Sequence, residues 1–99
     1  MRYGRVSDKN FITKRDTIFR ELHESVAEVT IVNNEGERKV YHLTLKDSQL
    51  PKNYNKESEK RFHESHPDII VAINAKTGGL QTVYINQIEF IEDVGLNYD

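Results

Sequence analysis

The sequence predicts a mainly-β domain of the α+β class, with one N-terminal helix ahead of five short strands. Three observations predict it. Ile18, Phe19, Leu22 and Val26 recur at helical spacing. Beyond them, apolar and polar residues alternate in separate runs rich in β-branched side chains. Two clusters tolerant of tight turns, Asn33 to Gly36 and Lys76 to Gly79, stand between runs that can pair. A chain of 99 residues, 36% apolar and 30% charged, supplies one modest core and no second one.

Residues 1–12 are polar and basic, with Tyr3 and Phe11 as their only aromatics, and read as an arm. Residues 13–99 read as the folded domain. Thr13 and Asp16 have the spacing of a capping box, so the helix is expected from about Lys14 to Glu24, within a segment 13–25. Three turns are marginal alone in water, so this helix must pack on something. Ala27, Val29 and Ile31 then alternate with Glu28, Thr30 and Val32 as a strand. After the Asn33 to Gly36 turn, Tyr41, Leu43 and Leu45 face one way along its hairpin partner.

Residues 47–67 break the pattern as a charged excursion that holds both prolines, Pro51 and Pro67. Asn55 is placed to cap a helix from about Lys56 to Ser65, held by little more than Phe62. The excursion is therefore expected to be dispensable for folding and to serve recognition, as loops on a rigid scaffold do. Asp68 to Asn74 is a near-continuous apolar run, expected as a strand covered on both faces. Leu80 to Ile85 returns after the second turn, and Ile88 to Val94 makes a last strand ended by Gly95. The expected core joins Val29, Ile31, Leu43, Ile73, Ile85 and Phe90 to Phe19 and Leu22.

Helix, hairpin, excursion, hairpin and tight turn into a last strand form an order that resembles the small five-stranded barrels of the SH3-like and Sm-like group. The residues that carry the resemblance are Val83-Tyr84-Ile85-Asn86-Gln87-Ile88-Glu89-Phe90-Ile91. The resemblance implies a single 3₁₀ turn after the fourth strand, a fifth strand that closes the barrel, and a helix that caps its open end. It also implies RNA contact through an Asp or Asn with a Gly near the second and fourth strands. Val40 to Lys46 has no Gly, and Lys76 to Gly79 fits that pattern loosely.

The chemistry visible in the sequence points away from an enzyme and from any cofactor. With no Cys there is no disulfide, no thiolate and no sulfur-ligated metal. The five serines lack the Gly-flanked sharp turn of a nucleophile elbow. The acid pairs Glu35/Glu37 and Glu57/Glu59 read as solvating charge. His63, His66 and Asp68 gather polar groups but lack zincin spacing, so no metal is expected. No apolar run reaches the roughly 20 residues of a membrane span, and the N-terminus lacks a signal-peptide core. The expected location is the cytoplasm.

What remains is binding. The leading expectation is a non-enzymatic binding or regulatory protein that engages another protein or its own copies through strand edges. A small bacterial or phage accessory protein that blocks or sequesters a host factor would have this character. Lys52, Tyr54, Lys60, Arg61 and Phe62 offer a basic-aromatic mix for a partner. Lys76, Thr77, Gly78 and Gly79 offer an amide nest for an anion or nucleotide. Two rivals follow: RNA or single-stranded DNA on the barrel face, and a small phosphorylated ligand held between subunits. The six basic and two acidic residues from Met1 to Arg20 oppose four acidic and no basic residues from Ile85 to Asp99. That polarity suggests a head-to-tail ring or pairing of the two ends within one chain.

Overall fold

The computed structural model describes residues 4–6 and 10–94. Along the chain run β1 (Gly4–Arg5), α1 (Phe11–Glu24), β2 (Ala27–Val32), β3 (Arg38–Thr44), α2 (Lys56–Ser65), β4 (Ile69–Asn74), β5 (Leu80–Tyr84) and β6 (Ile88–Asp93). Short 3₁₀ turns cover Asp47–Gln49 and Ile85–Gln87. The strands form one antiparallel sheet in the order β1-β6-β2-β3-β4-β5. This is the predicted mainly-β, α+β architecture of a helix and five strands, with a two-residue strand added at one edge. β5 and β6 do not pair among the described residues, so hydrogen bonds do not close the sheet into a barrel.

Helix α1 begins earlier than its sequence suggests. Asn10, not Thr13, is the cap: its side chain accepts from the Thr13 amide at 2.9 Å. Thr13 is thus the third helical residue, and its amide is one of the orphan donors that a cap satisfies. The predicted arm is also shorter. Gly4–Arg5 pairs with Ile91 and Phe90, Val6 is fully buried, and Phe11 and Ile12 belong to α1. Tyr3, Gly95 and Tyr98 lie outside the described residues.

Ile18 and Leu22 project from α1 into a core with Val29, Ile31, Leu43, Leu45, Ile70, Ile85, Ile88 and Ile91. Ile73 is buried as expected, and Phe19 packs on the cluster half-exposed. Phe90 does not join it; it is half-buried, and Ile91 is buried in its place. The cause is an irregularity of register: Thr30 faces Phe90 but Ile31 faces Ile88, which leaves Glu89 as an extra residue. Such a bulge breaks the two-residue alternation, so Ile88 and Ile91 both turn inward.

The hairpin of β2 and β3 stands as predicted. Asn33 accepts from the amides of Glu35 and Glu37 through its side chain, and Gly36 takes a φ of 84° that other residues resist. The 3₁₀ turn at Ile85–Gln87 also falls where the spelling placed it.

The flanks of β6, β4 and β5 differ in what meets them, and buried backbone groups there need partners. The outer flank of β6 is met by the chain's own start, where the Val6 amide donates to Glu89 and Gly4 faces Ile91. β3 pairs with β4 only at Leu43/Asn74 and Thr44/Ile73, so Ile69 to Ala72 lose that neighbour. Helix α2 takes its place. The Val71 amide donates to His63 Nε2 at 3.0 Å, and the Ile69 amide donates to the His66 carbonyl at 3.2 Å. Among the described residues β5 ends the order, with no strand beyond it.

Candidate functional site

Two features can meet a partner: a cleft between the helices and the uncovered flank of β5. The cleft holds about 460 Å³. Arg15 and Phe19 of α1 form one wall, Lys56 and Lys60 of α2 the other, and Leu45 and Leu50 the floor. The helix behind the second wall begins and ends as predicted, Lys56–Ser65, with Asn55 as cap accepting from the Ser58 amide at 2.9 Å. What fastens it was not predicted. His63, only 4% exposed, is its sole buried side chain.

Because His63 Nε2 accepts from Val71, the neutral ring carries its proton on Nδ1. Nδ1 lies 3.6 Å from Glu59 Oε2, beyond hydrogen-bond reach, and has no hydrogen-bond partner. Burial lowers the pKa of His63; Glu59 opposes that shift, while Arg15 and His23 add to it. Arg15 ties the helices together: it donates to the His63 carbonyl at 3.1 Å and the Pro67 carbonyl at 3.0 Å, and it lies over the Phe19 ring. Phe19 in turn meets the His63 ring edge-on at 4.8 Å. Tyr54 donates to Glu59 at 3.0 Å and, like Leu50, packs on the core. The excursion is therefore packed onto the folded body at several points.

The predicted partner-binding residues differ in setting. Tyr54 and Phe62 serve the structure, Phe62 stacking on His66 at 4.3 Å, while Lys60 faces the cleft and Lys52 and Arg61 are exposed. The amides of Lys76, Thr77, Gly78 and Gly79 are spent inside their own turn, donating to Asn74 and Thr77. They make a hairpin turn and present no open nest. His63 points inward and His66 Nδ1 meets the Phe62 carbonyl at 3.0 Å, so the two imidazoles do not converge. Among the described residues no three His, Asp or Glu side chains gather as metal ligands.

The flank of β5 is of another kind. Asn74 donates to Gly79, and Ile85 donates to Asp68. In an antiparallel ladder the bonded pairs alternate, so Leu80, Thr82 and Tyr84 turn their backbone N–H and C=O groups away from β4. Their side chains share the outer face, with Leu80 67% and Tyr84 51% exposed, while Val83 points into the core. A groove of about 210 Å³, lined by Ile31, Lys39, Tyr41 and Tyr84 among others, runs beside them. Sequence alternation could find the strand, but only the sheet order reveals that it lies at the edge.

No helix among the described residues is long and apolar enough to cross a membrane. No protein-family model, curated protein sequence or solved structure matches the chain.

Proposed function

We propose that this protein is a non-enzymatic binding module of SH3/Sm-like architecture that recognises its partner by adding a strand to β5. The observation that carries the reading is the flank of Leu80, Thr82 and Tyr84, whose outward backbone groups meet no strand among the described residues, with Leu80 and Tyr84 exposed. Edge strands are normally guarded by charge, proline, a bulge or a covering segment. β5 reads Leu-Gln-Thr-Val-Tyr and has none of the first two. Main-chain hydrogen bonds would give affinity, and Leu80 and Tyr84 would select side chains on the added strand. The strand order around β2 to β6 and the 3₁₀ turn before β6 support the barrel-like reading. The polar groups nearest the cleft hold helix α2 in place, which favours a structural role for them over a catalytic one.

Titration of the protein with short extended peptides of alternating apolar and polar residues, read by amide NMR shifts, tests this. Binding should move the amides of Leu80, Thr82 and Tyr84 and should be lost in Thr82→Pro, which deletes an outward N–H and spares the bonds to β4. Shifts confined to Arg15, Phe19 and Lys60 on adding a phosphorylated ligand would instead favour the cleft as a small-molecule site. Salt-sensitive retention on RNA would favour nucleic-acid binding.

A further inference from the structure

We infer that the strand added to β5 is the β5 of a second copy of this chain, paired antiparallel across a two-fold axis at Thr82. This rests on the strand-addition reading and names its partner. The alternative self-contact, β5 of one copy against β6 of the next, requires a free β6 flank. That flank is occupied over Glu89 to Ile91 by Val6 and Gly4 of the same chain. The backbone of Gly4 to Val6 thus covers Glu89 to Ile91 within the same chain, and a head-to-tail contact through β6 loses its acceptor strand over those residues.

β5 is self-complementary where it is open. The outward residues Leu80, Thr82 and Tyr84 are evenly spaced about Thr82. In the paired state Thr82 faces its own copy, and Leu80 faces Tyr84 of the partner on both sides of the axis. Each facing pair can exchange two N–H···O bonds. All three side chains lie on one face, so each Leu80 and Tyr84 gains an apolar cross-strand neighbour. No charged residue lies between Leu80 and Gln87, so β5 itself brings no like charges to the axis. Val83 keeps its place in the core throughout.

Sedimentation across a concentration series, with Thr82→Lys and Thr82→Glu beside the wild type, tests the geometry. The wild type should pass from one to two times the 11.6 kDa chain mass. Each variant alone places like charges across the axis and should remain at one chain mass. Mixing the two variants should restore the doubled mass, because a two-fold contact then sets Lys against Glu. A wild type that stays monomeric, a dimer indifferent to both charges, or a mixture that does not associate overturns the inference. In a monomeric wild type, fast exchange of the Leu80, Thr82 and Tyr84 amides keeps the edge open and the strand-addition reading alive for another partner. Slow exchange there removes both.

Discussion

β4 and β5 lie side by side, and each has a flank that the rest of the sheet does not cover, yet only one of them is repaired. On β4 the departing β3 is replaced by a ten-residue helix whose one buried side chain, His63, supplies the missing acceptor. On β5 no comparable element arrives among the described residues. The helix is expensive in chain length and poor in apolar contact, so its service is mainly to satisfy backbone. A chain that spends residues 47–67 on sealing one flank and leaves the neighbouring flank apolar and uncharged has treated the two differently. That contrast supports reading β5 as the working edge.

The largest effects should come from the core that both strands share. Leu43→Ala or Ile91→Ala should cost about 2–5 kcal/mol in a denaturation curve, as fully buried aliphatic residues do. Phe90→Ala should cost clearly less, since the bulge leaves Phe90 half-buried. Equal losses at 90 and 91 would refute that register.

Next comes the seal on β4. His63→Leu fills similar space but strands the Val71 amide, at a cost of about 1–3 kcal/mol. His63→Gln offers an acceptor and should recover part of it. Replacing residues 51–65 by a Gly/Ser linker should expose Ile69 and Val71 to exchange and destabilise the fold. A linker variant as stable as wild type would return the excursion to a dispensable loop.

Acid should weaken the same seal. Burial holds the His63 pKa below 6.5, so the docked state binds fewer protons than the undocked one. Its contribution is complete above about pH 6.5, the pKa of a free imidazole, and is lost as pH falls through the lowered value. Protonation at Nε2 also sets two N–H donors against each other. Titrating the ring nitrogens by NMR should show His63 protonating at lower pH than a free imidazole, with the Val71 amide moving in step; His63→Gln should abolish that movement. The smallest effects belong to the ends and the open flank. Asn55→Ala should cost about 1 kcal/mol of α2 stability through its lost cap. Thr82→Lys should change the stability of the monomer by no more than about 0.5 kcal/mol.

Local structure was legible in the sequence wherever one side chain decides it. Asn55 announced α2, Asn33 to Gly36 announced the first hairpin, and Ile18 with Leu22 announced the buried face of α1. Three things were not legible, each because it depends on a distant segment. Thr13 is as good a cap as Asn10 until the fold sets where α1 begins. Phe90 alternates correctly until a bulge against β2 shifts its face. His63 looks like a surface imidazole because its partner is a backbone amide, which no residue type marks. The same limit applies to the site. The aromatic and basic residues of the excursion drew attention by composition, whereas the open flank of β5 is a property of strand order.

The contrast between the two flanks reduces to two amides. Residue-resolved hydrogen exchange, on dilute protein near neutral pH and corrected for intrinsic rates, compares Val71, which donates to His63, with Thr82, which faces outward. The account predicts a strongly protected Val71, a Thr82 close to its unprotected rate, and protection of Thr82 that grows as protein concentration rises. A Thr82 as protected as Val71 at every concentration would mean that β5 is already covered, and would contradict the account.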